Sequence, residues 1–149
     1  MSEKNEKKVS AERLIDAPAE KIFDVLADPA QHPAIDGSGS VKASKGGGSR
    51  LALGTRFGMS MKLGVAYPIT NEVVEFQEGR RIAWRHFGHH VWRYELEPAN
   101  GKTRVTESFV WSTARAPFIL ELLGAPARNQ KAMEATLERL EHHVTSPTS

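Results

Sequence analysis

The sequence predicts an α+β protein in which an antiparallel sheet carries its helices on one face. Three observations predict it. Residues from Val41 to Trp111 alternate as strands do, the last stretch has helical periodicity, and a helix-start signature follows a first strand. Val9 to Ile15 reads as that first strand. Asp16-Ala17-Pro18 then opens a helix: Asp16 is placed to cap free amides, and Pro18 in the first turn needs no donor. Ile22, Phe23 and Leu26 form its apolar stripe. Asp28-Pro29 ends it, and a short second helical piece is expected near Ala30 to Ala34. Asp36-Gly37-Ser38-Gly39 is turn or loop, and Gly46-Gly47-Gly48-Ser49 is loop-sized, joining two strands. Phe57, Met59, Met61 and Leu63 then alternate with smaller or polar residues, as a half-buried strand requires. Further strands are expected at about 67–77, 80–86, 90–98 and 103–111. Pro117 to Leu123 reads as a turn or two of apolar helix, interrupted by Gly124 and Pro126. Beyond it Met133, Leu137, Leu140 and Val144 recur at helical spacing, which gives a long C-terminal helix from about Ala127 to His143.

Composition narrows the function classes. The 149 residues fit one domain, expected over 9–144, with polar tails at 1–8 and 145–149. A hydrophobic fraction of 40% and a charged fraction of 26% describe a folded, soluble chain. Twenty basic residues against 18 acidic ones leave a net charge of +2, too mild to argue for nucleic acid. With no cysteine, disulfides, thiolate nucleophiles and zinc–thiolate sites are excluded. No apolar stretch approaches the ~20 residues of a membrane span. The polar start, without a secretory apolar region, leads us to expect cytoplasmic residence. The glycine-rich segments match neither dinucleotide nor phosphate-loop patterns, and no cofactor is expected.

Turn chemistry fixes the register of the last strands. Asn100-Gly101 is a strong two-residue hairpin signal, since both central positions of a type I′ turn need positive φ. Pairing Ala99 with Lys102 then sets Leu96 against Val105, Tyr94 against Glu107, Trp92 against Phe109 and His90 against Trp111. The other face receives Glu97 against Arg104, Glu95 against Thr106 and Arg93 against Ser108. A one-residue slip would destroy this separation of apolar from polar. A three-residue loop Phe87-Gly88-His89 extends the same logic, pairing His86 with His90, Trp84 with Trp92 and Ile82 with Tyr94. The inner face thus collects all three tryptophans, one carboxylate and two imidazoles. A lone buried carboxylate is costly, so a flat sheet sealed against a helix would not need Glu107. A curved sheet that grips the helix at one end and leaves a cavity at the other accommodates it.

This order of elements resembles the SRPBCC superfamily, which includes START-like lipid-transfer domains, birch-pollen-allergen-like proteins and the polyketide cyclase/dehydrase group. The resemblance covers Val9 to Val144. It is carried by Ile15-Asp16-Ala17-Pro18-Ala19-Glu20-Lys21-Ile22-Phe23 with Leu26-Ala27-Asp28-Pro29, by Leu53-Gly54-Thr55-Arg56-Phe57, and by Val73-Val74-Glu75-Phe76 with Arg80-Arg81-Ile82-Ala83-Trp84. Trp92-Arg93-Tyr94-Glu95-Leu96-Glu97-Pro98 and Gly101-Lys102-Thr103-Arg104-Val105-Thr106 complete it. His32 to Gly39 resembles a feature of an actinobacterial subgroup labelled polyketide cyclase/dehydrase. The resemblance implies a helix-grip fold: a seven-stranded antiparallel sheet wrapped around the long C-terminal helix, one or two short helices after strand 1, and a hydrophobic cavity between. It does not imply one reaction.

Several residues are candidates for chemistry, each with an ordinary structural alternative. Glu107, with the Tyr94 hydroxyl and His90 as neighbours, is a candidate general acid or base; alternatively, its carboxylate only fixes the inner face by hydrogen bonding. Trp84, His86, Trp92, Phe109, Trp111, Met59 and Met61 are candidates to line a pocket for a flat apolar ligand, or are plain core. His86, His89 and His90 form an HxxHH group, but alternation sends His89 away from the other two, and no metal site is assigned. His32 and Asp36 meet only if their segment is helical. Ser108 points outward, which leaves no Ser-His-Asp triad. The functions that follow are a binder of a small hydrophobic ligand, a cyclase or dehydratase using Glu107, Tyr94 and His90, or a protein-interaction module. The expected assembly is monomer or homodimer.

Overall fold

The computed structural model describes residues 8–35, 41–45, 50–63, 65–85, 91–111 and 125–145. The first strand, β1 (Lys8–Ile15), leads into helix α1 (Ala19–Leu26). Pro18 itself is the N-cap, with extended φ −70° and ψ 149°, and its carbonyl accepts from the amides of Lys21 and Ile22. Asp16 does not cap: no side chain hydrogen-bonds that helix end. The reason is position, since the cap falls on Pro18 and Asp16 lies outside the turn it would have to reach. Asp28 supplies the cap that was expected of Asp16, but for the next element. Its Oδ1 accepts from the amide of Ala30 at the start of a 3₁₀ turn (Pro29–Gln31), which runs into α2 (His32–Ile35).

The remaining strands are β2 (Val41–Lys45), β3 (Arg56–Leu63), β4 (Val65–Gln77), β5 (Arg81–Arg85), β6 (Val91–Ala99) and β7 (Lys102–Val110). They form one antiparallel sheet in the order β1-β7-β6-β5-β4-β3-β2. Strands β2 to β7 follow one another as a meander, while β1 joins at the far edge beside β7. The segment holding α1 and α2 therefore crosses from one edge of the sheet to the other. Helix α3 (Ala125–Thr145) closes the chain and packs on β1, β7, α1 and α2. This is the α+β helix-grip arrangement.

The turn chemistry has the consequences expected of it. Asn100 and Gly101 both take positive φ, 53° and 82°, and Ala99 pairs with Lys102. Every pair down that hairpin within the described residues follows, from Leu96 with Val105 to Trp92 with Phe109. Trp84 pairs with Trp92 and Ile82 with Tyr94, the register expected; the loop Phe87-Gly88-His89 and the His86–His90 pair lie outside the described residues. Strand β4 contains a bulge between Val73 and Glu75. The extra residue switches the alternation there. Asn71, Val73 and Phe76 share the inner face, while Glu72 and Glu75 sit on the outer one.

The core lies between the inner face and the helices. Met133, Leu137, Leu140 and Val144 of α3 are at most 2% exposed and face Ile15, Ile22, Phe23 and Leu26 in one apolar cluster. Each such side chain contributes roughly 1.5–3 kcal/mol on leaving water. Polar contacts align the pieces: Gln130 Nε2 donates to the Ser10 carbonyl at 2.7 Å and Arg13 Nε to Glu141 at 2.7 Å. The outer face carries a mixed-charge lattice. Arg93 grips Glu75 with two hydrogen bonds of 3.0 and 2.8 Å, Arg81 binds Glu95 at 2.9 Å and Arg85 binds Glu72 at 3.1 Å.

Candidate functional site

Alternation on β5, β6 and β7 builds the inner face in rows. Leu96 and Val105 form one row, and Ile82, Tyr94 and Glu107 the next, with Ala11 of β1 in register beyond Glu107. Trp84, Trp92 and Phe109 form the third row, and Val9 of β1 continues it. Burial changes along this direction. On β5, β6 and β7 the first two rows are sealed, from 0% exposed at Val105 to 5% at Tyr94, whereas Trp84 and Trp92 are only half-buried.

Among the described residues, the rings on β5, β6 and β7 fall into two connected groups. Trp92 lies 4.8 Å from Phe109, which stacks on Trp111 at 5.8 Å. Trp84 lies 5.6 Å from Tyr94, meets Phe57 edge-on at 5.5 Å and stacks with the His32 imidazole at 5.0 Å. His32 is buried, and its Nε2 donates to the Leu26 carbonyl at 2.8 Å. The imidazole therefore ties the end of α1 to the aromatic face; Asp36, the partner considered from its spacing, lies outside the described residues. Sequence reasoning missed this role because it depends on how α1 and α2 pack, and no spacing in the chain encodes that contact.

Glu107 is 3% exposed, directly across from Tyr94 in the ladder, which is the juxtaposition the hairpin register implies. Both sit deep in the sealed row, with the Trp92–Phe109 pair on one side and Leu96–Val105 on the other. Trp84, Trp92, Phe109 and Trp111 all belong to the apolar cluster or pack against it, so these four candidates come together. Met59 and Met61 are on β3, opposite Ile69 and Tyr67 in register; their side chains lie outside the described residues. So do His86, His89 and His90. Ser108 takes the outer face and hydrogen-bonds Ser10 Oγ at 2.8 Å. The Phe118 to Leu123 segment also lies outside the described residues.

One further group joins the site. Asn71 is 4% exposed and in register with Phe57, and its Oδ1 is buried without a hydrogen-bond partner among the described residues. A buried amide oxygen left so costs on the order of 1–3 kcal/mol. Its inward direction was hidden in the sequence, because the turn near Glu78-Gly79 admits two registers and the bulge between Val73 and Glu75 decides between them. On the opposite side of the sheet an open groove is lined by Gln77, Arg80, Arg81, Glu95, Glu97 and Arg104. Arg81 with Glu95 and Arg104 with Glu97 are ion pairs of the outer face, and no aromatic residue lines the groove.

A sheet gripping its terminal helix, with an inner face that passes from sealed aliphatic to half-buried aromatic around one carboxylate, defines a helix-grip protein of the START-like class. The chain belongs to the family described as polyketide cyclase / dehydrase and lipid transport, whose model matches residues 6–145. It is 35% identical over 139 residues to an uncharacterized protein of Mycobacterium tuberculosis, Rv0088, covering 89% of this chain and 62% of that one. The chain thus spans less than two thirds of that relative's length. Among solved structures, NE0264 from Nitrosomonas europaea superposes with a TM-score of 0.73 at 16% identity, covering 95% of this chain and 96% of its own. The Aha1 dimer from Colwellia psychrerythraea superposes with a TM-score of 0.68 at 13% identity, covering 96% and 99%. At such identities the likeness shows the shared fold. No helix among the described residues is long and apolar enough to cross a membrane.

Proposed function

We propose that this chain binds a small hydrophobic molecule, polyketide-like, aromatic or lipid in class, between the inner face of the sheet and α3, within a single unit over about 9–144. The observation that carries the reading is the half-buried pair Trp84 and Trp92 beside rows that are closed to solvent. Ring faces left partly open within an otherwise sealed apolar surface are what a flat apolar ligand covers, with a few polar groups to orient it. The family description, which names cyclase, dehydrase and lipid transport together, supports the same reading. The test is mass spectrometry of small molecules released when natively purified protein is unfolded. One apolar species near one equivalent is expected. Folded protein that releases none and takes up no aromatic, polyketide-like or fatty-acid probe contradicts the reading.

A second reading, a cyclase or dehydratase, is favoured by one observation: a carboxyl group at 3% exposure facing a tyrosine. In it Glu107 moves a proton on the bound ligand, with Tyr94 and His90 assisting. Such transfer requires a ligand proton within ~3 Å of the carboxylate, or one water away. The same proposal places the protein in the cytoplasm, as monomer or homodimer; a mass that rises with concentration in light scattering marks the homodimer.

A further inference from the structure

We infer that Asn71 is the polar anchor of the proposed pocket and selects ligands that carry a hydroxyl on a flat ring. The inference rests on the ligand-binding reading above and names a feature of the ligand. Asn71 is 4% exposed, and its Oδ1 has no hydrogen-bond partner among the described residues. Its place in the sheet sets its surroundings. It pairs with Phe57 across β3, and Val73, on the same face, pairs with Trp84. The Phe57 and Trp84 rings meet edge-on at 5.5 Å, with the His32 imidazole stacked on Trp84 at 5.0 Å. The amide thus stands beside an aromatic floor, while its neighbour Glu72 turns outward to Arg85.

A buried amide oxygen in such a setting calls for a donor. A hydroxyl on a flat ring satisfies both features at once, because its ring lies on the aromatic floor while its O–H donates to Oδ1. If the amide turns over, the same hydroxyl accepts from Nδ2, so the match survives either orientation. A purely hydrocarbon ligand of equal size fills the space and leaves the amide unsatisfied. Selection then comes from the penalty on the wrong ligand as much as from the bond to the right one.

The experiment compares 2-naphthol with 2-methylnaphthalene by quenching of tryptophan fluorescence, in the wild-type protein and in Asn71→Leu, with thermal unfolding of both proteins alongside. Wild-type protein is expected to prefer 2-naphthol about tenfold, ~1.4 kcal/mol. Asn71→Leu is expected to bind the two probes alike, with an unfolding midpoint equal to or above that of wild type. Asn71→Ala, which only removes atoms, gives the same readout if leucine does not fit. A variant that keeps the tenfold preference, or a wild type that shows none while binding both probes, overturns the inference and leaves the ligand-binding reading standing. Wild-type protein that binds neither probe overturns the inference, while the ligand-binding reading falls only if the protein also releases no ligand and takes up no polyketide-like or fatty-acid probe.

Discussion

Thr103 Oγ1 donates to the Ala17 carbonyl at 2.8 Å in a site 1% exposed, pinning the entrance of α1 to the start of β7. Replacing Thr103 by Val keeps the shape and removes the donor, leaving a buried carbonyl without that bond. We expect Thr103→Val to lower the unfolding free energy by about 1–3 kcal/mol in urea titration, since the full desolvation penalty of the acceptor is then exposed. Glu107 calls for the opposite kind of test, because it already sits in apolar surroundings at 3% exposure. Glu107→Gln keeps the volume and hydrogen-bonding shape of the side chain, so it is expected to fold with a thermal midpoint close to that of wild type. On the cyclase reading it loses turnover while ligand binding persists. Loss of folding alone assigns the carboxylate a structural role only.

The elements are held by turns and clamps whose strength can be measured separately. Gly101 has φ of 82°, and a Cβ placed there meets nothing within 4 Å, so a side chain at this position strains only the backbone. Gly101→Ala is expected to cost about 1–2 kcal/mol by chemical denaturation. Arg50 is a clamp of another kind. It binds Glu78 through both Nη atoms at 2.8 and 2.6 Å and Asp24 at 2.9 Å, and its guanidinium lies over the Phe23 ring at 5.5 Å. Hydrogen bonds first to Glu78 and then to Asp24 hold its pKa above the ordinary arginine value, so it stays charged at every workable pH. The groups are well exposed, so each pair is worth about 0.2–1 kcal/mol. The stability difference between wild type and Arg50→Ala is expected to shrink as salt is raised from about 0.05 to 1 M. Element by element, the sequence was legible where a turn imposes register. Asn100-Gly101 needs positive φ twice, and the ladder beyond it follows by counting. It was illegible where a bulge intervenes, since both alternations around Asn71 and Phe76 fit part of β4. The cap was likewise hidden, because Pro18 and Asp16 compete for the same turn and only backbone geometry decides.

At the scale of the molecule, the sealed rows and the half-buried rings form one continuous inner face. Met133, Leu137 and Leu140 of α3 belong to the sealed apolar cluster, and Trp84 and Trp92 pack against it as its partly open members. Alternation and turn chemistry made the composition of that face legible before any coordinates. The contributions of His32 and Asn71 were not, because they depend on packing between α2 and the sheet and on the bulge in β4. The three tryptophans, all expected on this face, provide its natural reporters: each indole N–H gives its own signal in a proton–nitrogen NMR spectrum. The most direct measurement follows those signals during titration with 2-naphthol. Binding against the inner face predicts that the Trp84 and Trp92 indole signals shift together and saturate near one equivalent. Indole signals that stay fixed, while backbone signals of Arg80, Glu95 and Arg104 along the outer groove move instead, would contradict it.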